Sequence, residues 1–188
     1  MELRAPEARR WTRAEYERLI DQGLFQPDER LELVNGEILA VTPQKSAHAT
    51  AVRAIQEVLR VAFGAKADVR PQLPLALTPD SAPEPDVAVV AGSFRDYRDA
   101  HPTNALLIVE VADASLRFDR KTKGPLYAGA GIPEYWIVNL VDRIVEIYRE
   151  PIETADGWHY RLVHRAAPGD SVTPLATEMV IAVTDVLP

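Results

Sequence analysis

The feature that most constrains this sequence is residues 105–111, Ala-Leu-Leu-Ile-Val-Glu-Val, the most apolar run in the chain. A strand this apolar excludes water from both of its faces, which is typical of the middle of a sheet that helices cover. We therefore predict that residues 105–111 form the central strand of such a sheet. Glu110 breaks the apolar pattern near the end of the run, and a buried carboxylate is costly unless it has a partner or a metal.

Helical and extended patterns alternate along the rest of the chain. Thr12 and Glu15 form a capping box for a first helix, and Asn35-Gly36 indicates a type I′ turn between two strands. Gly64 ends a second helix, whose apolar residues recur at helical spacing. The other expected elements are strands at 30–34, 37–41, 69–76 (an edge strand), 86–90, 134–139 and 144–149, weaker strands at 158–163 and 180–183, a loop or short helix at 92–104, and a short helix at about 120–130.

This order of elements favours the α/β class on the border of α+β. It predicts a mixed central β-sheet flanked by helices, with extra C-terminal strands. The 188 residues suit one domain spanning 1–188. Within it we predict a core at about residues 11–150 and a β-rich extension at 151–188.

Composition excludes several kinds of site. The chain has no cysteine, which rules out disulfides, thiolate zinc sites and cysteine nucleophiles. Met1–Arg10 lacks the apolar stretch of a signal peptide, and no run is long enough to cross a bilayer, so we expect a cytoplasmic protein with no membrane partner. The net charge of −7 counts mildly against a passive DNA-coating protein, but it is compatible with a nuclease that has a carboxylate metal site.

Two acidic residues stand at the ends of predicted strands. Asp86 follows Pro85 and opens residues 86–90, and Glu110 lies near the end of residues 105–111. Taken alone, each acid is more often solvated or ion-paired than catalytic. Two carboxylates at one edge of a sheet would make a hard oxygen site that suits Mg²⁺. The pair is therefore our candidate metal site.

The segment after Glu110 carries the candidate lysine. If it is helical from Asp119, then Asp119, Lys123 and Tyr127 share one face at intervals of four residues. One interpretation is a surface ion pair with a packed tyrosine. The other places Lys123 beside the carboxylates, where it would orient water or offset charge on a phosphate. The spacing alone does not separate these two interpretations.

A series of short motifs resembles a known family. They are Glu32-Leu-Val-Asn-Gly36, His48 in a helix, Pro85-Asp86-Val87, Glu110-Val111, Ser115, Asp119, Lys123, Tyr127 and Gly131-Ile-Pro-Glu-Tyr-Trp136. Their order resembles the Uma-type restriction endonuclease family, a bacterial branch of the PD-(D/E)XK nuclease superfamily that was long described as a domain of unknown function. The resemblance runs from about the first helix to Arg149, and the Gly131–Trp136 segment is among its most specific parts.

The resemblance implies a restriction-endonuclease-like core and a role for individual residues. It would assign metal binding or catalysis, with Mg²⁺ or Mn²⁺, to Glu32, Asp86, Glu110, the backbone carbonyl of Val111, and Lys123. It would assign accessory roles to His48, Lys121, Asp119 and Tyr127. From the residues alone, Glu32 is more often a cross-strand partner and His48 a surface or packing residue.

Two positions depart from the family pattern. Ala112 occupies the place, two residues after Glu110, where the lysine of the (D/E)XK element usually stands. Lys123 would therefore have to supply the amine from the next segment. Gly124-Pro125 follows at once and interrupts the expected helix, which makes Lys121 the alternative lysine.

Three functions fit this sequence. The first is Mg²⁺-dependent hydrolysis of DNA phosphodiesters by an endonuclease, which we expect to be a homodimer because many nucleases that cut both strands are symmetric. The second is a catalytically silent binding or assembly module on the same fold, which predicts scattered acids. The third is a metal-dependent phosphohydrolase of a smaller substrate, which predicts a closed pocket.

Overall fold

The computed structural model describes residues 8–26, 28–41 and 43–188, so most of the predicted N-terminal segment Met1–Arg10 lies outside the described residues. The helices of the described chain are α1 (Arg13–Asp21), α2 (Ser46–Phe63), α3 (Leu116–Phe118) and α4 (Gly124–Gly129), with a π-helical turn (Asp119–Lys123) between the last two and short 3-10 helices at Gly64–Lys66, Phe94–Tyr97 and Val183–Asp185. The strands are β1 (Leu31–Val34), β2 (Glu37–Ala40), β3 (Ala67–Pro71), β4 (Val87–Ala91), β5 (Leu107–Ala112), β6 (Glu134–Asn139), β7 (Ile144–Thr154), β8 (Gly157–Ala166), β9 (Ser171–Val172) and β10 (Ile181–Ala182).

Six of these strands form the central sheet, in the order β3-β4-β5-β6-β7-β8. The β5–β6 pair is parallel and the other four pairs are antiparallel. The predicted mixed sheet is therefore confirmed, with the most apolar run, β5, in its interior. All six residues of β5 are buried, because β5 has a hydrogen-bonded neighbour on each side and a packed layer on each face.

A separate hydrophobic cluster covers each face of the sheet. On one face α2 packs Ala51, Ile55 and Leu59 against β4, β5 and β6. On the other face α4 packs Leu126 and Tyr127 against the same strands. Helices thus flank the sheet, and their positions decide which side chains reach the end of β5.

Local signals explain most of the predicted boundaries. The capping box of Thr12 and Glu15 is formed at the start of α1. Asn35 and Gly36 both have positive φ in the turn between β1 and β2, as a type I′ turn requires. A β-carbon on Gly36 would lie 2.8 Å from that of Arg10, so the turn also needs glycine for space.

The third predicted helix begins earlier than expected and contains a widened turn. It starts at Leu116 rather than near Arg120, and residues 119–123 are π-helical. The N–H of Gly124 donates to the carbonyl of Asp119, five residues back. Pro125 has no N–H, and its ring would crowd the carbonyl four residues earlier in a regular α-helix. The wider turn removes that conflict, so Gly124-Pro125 does not end the helix.

Several strand ends differ from the sequence prediction. The edge strand β3 ends at Pro71 rather than at residue 76, because Gln72 has φ 50° and leaves the extended region. Strands β7 and β8 are longer than predicted, so the central sheet continues to Ala166. The short strand β9 was not predicted, and it pairs with β10. Of the helices in the described ranges, none has the length and hydrophobicity needed to span a membrane.

A buried carboxylate ties the C-terminal segment to the sheet. Glu134, fully buried at the start of β6, accepts hydrogen bonds from Trp136 Nε1 at 2.9 Å and from Arg149 Nε at 2.8 Å. Its second oxygen accepts from the N–H of Leu175 at 2.7 Å. Arg149 also donates to the carbonyl of Thr173. Glu134 therefore joins two strands and the chain that follows β9.

We expect Glu134→Ala to lower the free energy of unfolding by about 3–5 kcal/mol, because it leaves Arg149 and the Trp136 N–H without their shared acceptor. Equilibrium unfolding in urea measures this change. Glu57→Ala is the matched control, since Glu57 pairs with Arg53 on the exposed face of α2, and we expect it to cost at most about 0.5 kcal/mol. Equal effects of the two substitutions would contradict this account of Glu134.

Candidate active site

The two predicted acids meet because β4 and β5 are antiparallel. Val87 pairs with Val109, so the start of β4 lies beside the end of β5. The N–H of Asp86 donates to Glu110 Oε2 at 3.2 Å, and the N–H of Val111 donates to Asp86 Oδ2 at 2.9 Å. Each acid is thus held by the backbone of the other strand.

Pro85 explains why the Val111 backbone is available to the site. If the ladder between β4 and β5 continued by the same register, Val111 would lie opposite Pro85. Proline has no N–H to donate, so the ladder stops there. The Val111 N–H bonds the Asp86 side chain instead.

Lys123 reaches the two-acid pair from the π-helical turn. Its ammonium lies 3.0 Å from Glu110 Oε1 and 3.2 Å from Glu32 Oε2. Tyr127 donates to the same Glu110 oxygen at 2.6 Å. Lys123 is only 6% exposed, which removes the interpretation of a surface ion pair.

The other polar residues of the π-helical turn lie on different sides of it. Asp119 is buried and accepts from the Ser115 hydroxyl at 2.6 Å. Arg120 points the other way and donates to Glu146, a buried acid on β7. Lys121, the alternative lysine, is exposed and does not line the candidate site. The structure therefore brings Lys123 to the acids and leaves Lys121 outside.

A cleft of about 400 Å³ opens beside these groups. The predicted residues that line it are Glu32, His48, Asp86, Glu110, Val111, Asp119 and Lys123. His48 projects from the first turn of α2, and its Nε2 lies 2.9 Å from Asp86 Oδ1. Tyr127 is fully buried and acts through Glu110 instead of lining the cleft.

The structure adds polar residues that the sequence prediction missed. The side-chain amides of Gln44 and Gln72 each lie 3.4 Å from Asp86 Oδ1. Glu84 also lines the cleft, and its N–H donates to Glu32 Oε2 at 3.1 Å. Gln44 stands four residues before His48, and this spacing is the sequence signal that could have predicted a shared contact. Nothing in the sequence around Gln72 indicates its contact.

Burial and repulsion between neighbouring carboxylates raise the pKa values of two acids in the cleft. Burial raises the pKa of Glu110 above its ordinary value, and the ammonium of Lys123 offsets part of that rise. Burial also raises the pKa of Asp119, although the Ser115 hydroxyl opposes it. For Lys123 burial favours the neutral form, but Glu110 and Glu32 outweigh it and raise the pKa, so the lysine is charged.

The donor set is suited to a hard divalent cation. Acidic side chains outnumber basic ones around the cleft: the acids are Glu32, Glu84, Asp86, Glu110, Asp113 and Asp119, and the basic residues are Arg30, Lys45 and Lys123. Within residues 8–26, 28–41 and 43–188, no three histidine or acidic side chains form a ready-made metal cage. Mg²⁺ is commonly held by one or two carboxylates and keeps several waters, so the Asp86–Glu110 pair fits that ion and a closed cage is not required.

Comparisons with known proteins agree with this architecture. A crystal structure of a protein from Anabaena variabilis, described as a putative nuclease belonging to DUF820, superposes with a TM-score of 0.73 and 13% identity, over 93% of this chain and 96% of that chain. The two chains therefore share the same fold. The model of the Uma2 family, described as "Putative restriction endonuclease", matches residues 13–184, and the chain belongs to that family. No curated protein matches it.

The raised pKa of Glu110 predicts how stability depends on pH. Between the ordinary carboxylate pKa and the raised one, the metal-free folded protein binds a proton that the unfolded chain has lost. The free energy of unfolding therefore falls as pH rises through this window. Each unit by which the pKa is raised corresponds to about 1.4 kcal/mol.

We expect Glu110→Gln, which keeps the shape and cannot titrate, to gain stability relative to the unmodified protein as pH increases from about 5 to about 9. Urea unfolding of the metal-free proteins in a series of buffers measures this difference. Glu57→Gln on the exposed face of α2 corrects for the loss of a charge. A difference that stays constant, or decreases with pH, would contradict the assignment.

Proposed function

We propose that this protein is a Mg²⁺-dependent or Mn²⁺-dependent endonuclease that hydrolyses DNA phosphodiester bonds. The observation that carries the proposal is the convergence of Asp86, Glu110 and Lys123. They come from two strand ends and a π-helical turn, yet they meet at one cleft. The matching family, whose description is "Putative restriction endonuclease", supports the same reaction class.

The two acids and one backbone carbonyl would hold the metal. Asp86 and Glu110 offer carboxylate oxygens, and the carbonyl of Val111 lies where the ladder with β4 stops at Pro85. When bound, Mg²⁺ supplies a Lewis acid that polarises the phosphoryl oxygen and makes a coordinated water more acidic. The N–H of Val111 keeps the Asp86 carboxylate in its orientation.

Lys123 would stabilise the negative charge that develops on the phosphate. Its ammonium is charged and held between Glu110 and Glu32, so no side-chain reorganisation is needed when the substrate arrives. Glu32 shares Lys123 with Glu110 and would help to orient the attacking water. Tyr127 keeps Glu110 in place through a 2.6 Å hydrogen bond.

A second candidate is hydrolysis of a smaller phosphorylated substrate by the same groups. The cleft of about 400 Å³ has the volume of a small-ligand pocket, but it is open, whereas this candidate predicts a closed pocket. The convergence of the acids argues against the catalytically silent module, which predicts scattered carboxylates. Cleavage assays on duplex DNA, single-stranded DNA and a phosphodiester monomer distinguish the two enzymatic candidates.

The proposal also includes the location, the partner and the oligomeric state of the protein. We propose a cytoplasmic protein whose partner is its DNA substrate. We further propose a homodimer, because symmetric pairs of sites are a common way to cut both strands of a duplex. Sedimentation of the purified protein with and without duplex DNA tests the dimer.

We expect Asp86→Asn and Glu110→Gln each to lower metal-dependent DNA cleavage by at least about 100-fold, because each removes a charge needed to hold the metal. Lys123→Met should have a comparable effect through loss of the ammonium. Lys121→Met is its matched control, two residues away and exposed, and should cleave at the unmodified rate. Plasmid nicking at several Mg²⁺ and Mn²⁺ concentrations measures all four.

Cleavage that survives both carboxylate substitutions would overturn the proposed metal site. Equal losses in the two lysine variants would overturn the role of Lys123. Circular dichroism and thermal unfolding of each variant separate a lost function from a lost fold.

A further inference from the structure

Gln72 has a backbone conformation that glutamine rarely adopts. Its φ of 50° lies in the left-handed region, which costs energy for a residue with a β-carbon and is uncommon outside glycine, asparagine and aspartate. Other non-glycine residues of the described chain share the feature, and they are Asn35, Arg143 and Glu150. Among these four, Gln72 lines the candidate active-site cleft.

The left-handed backbone directs two donors of Gln72 toward the same short segment. Its N–H lies 3.1 Å from the carbonyl of Pro85 and 3.2 Å from the carbonyl of Asp86. Its side-chain amide nitrogen lies 3.4 Å from Asp86 Oδ1. A turn that only ended β3 would need the backbone contact and not the amide, and glycine would form it with less strain.

The Asp86 carboxylate is surrounded by donors on both of its oxygens. Oδ2 accepts from the Val111 N–H at 2.9 Å. Oδ1 has His48 Nε2 at 2.9 Å and the amide of Gln44 at 3.4 Å, both from the α2 side of the cleft. Gln72 approaches the same oxygen from the end of β3. Donors on two walls of the cleft thus restrict rotation of the carboxylate.

We propose that Gln72 is a positioning residue for Asp86, and that its backbone strain is retained because it aims the amide at Oδ1 of the Asp86 carboxylate. The inference rests on the proposed metal site and adds a residue that acts through Asp86. Partners that orient a metal ligand typically change metal affinity by about 10- to 100-fold when they are removed. Strain held at such a position is a known feature of functional sites.

The test combines stability with metal binding, and it needs no cleavage activity. Gln72→Gly relieves the strain and removes the amide while keeping the N–H. Gln72→Met keeps a β-carbon and a similar shape but has no amide. Arg143→Gly is the matched control, because Arg143 has φ 56° in the turn between β6 and β7, outside the cleft. Mn²⁺ binding by electron paramagnetic resonance and thermal unfolding without metal are measured for each.

We expect Gln72→Gly to raise the midpoint of unfolding by about 2 °C and to weaken Mn²⁺ binding about tenfold. Gln72→Met should weaken Mn²⁺ binding to a similar extent without the gain in stability. Arg143→Gly should gain stability and bind Mn²⁺ as the unmodified protein does. If Gln72→Gly is more stable than the unmodified protein but binds Mn²⁺ more weakly, Gln72 positions Asp86 and its role is not purely structural.

Two results would overturn the inference while leaving the metal site intact. One is unchanged Mn²⁺ binding in Gln72→Gly or in Gln72→Met, and the other is a lower midpoint of unfolding in Gln72→Gly. A third result is distinguishable from both: if the unmodified protein shows no saturable Mn²⁺ binding, the proposed metal site fails, and the role of Gln72 fails with it.

Discussion

The ammonium of Lys123, buried between the carboxylates of Glu110 and Glu32, is the contact on which the rest of the site depends. A buried lysine is tolerated only with hydrogen-bonded counter-charges, and buried carboxylates need a cation in return. Three separate elements therefore have to meet at one point: the β1–β2 hairpin, the end of β5 and the π-helical turn. The layers of the fold, with α4 over one face of the sheet, allow that meeting.

The π-helical turn gives the helix two chemically different sides within five residues. Asp119 and Lys123 face the cleft, while Arg120 donates to the buried Glu146 on β7. Pro125 forces the widened hydrogen bond from Gly124 to Asp119. Gly124-Pro125 interrupts the helical pattern in the sequence. The widened turn accommodates this pair directly after Lys123, which enters the site. This arrangement supplies an amine where Ala112 leaves none on β5.

The sequence predicts the central strand and the acid pair because both depend on local pattern and on the direction of neighbouring strands. The apolar run at 105–111 could only be buried, and an antiparallel β4 necessarily brings Asp86 to the end of it. Sequence periodicity could not reveal the π-helical turn, because the pattern does not show whether Pro125 ends the helix or is accommodated by a widened turn. Gln72 was missed because its contacts, with the carbonyls of residues 85 and 86 and with Asp86 Oδ1, join parts of the chain that no local pattern connects.

The donors that orient the acids are largely neutral, and this decides what the cleft attracts. Val111 and Asp86 contribute backbone N–H groups, and Tyr127 and Ser115 contribute hydroxyls. Neutral donors fix the direction of a carboxylate without cancelling its charge. The acidic side chains that line the cleft outnumber the basic ones, which are Arg30, Lys45 and Lys123, and their oxygens are held in fixed directions. Both properties favour a divalent cation, which supports the proposed metal site.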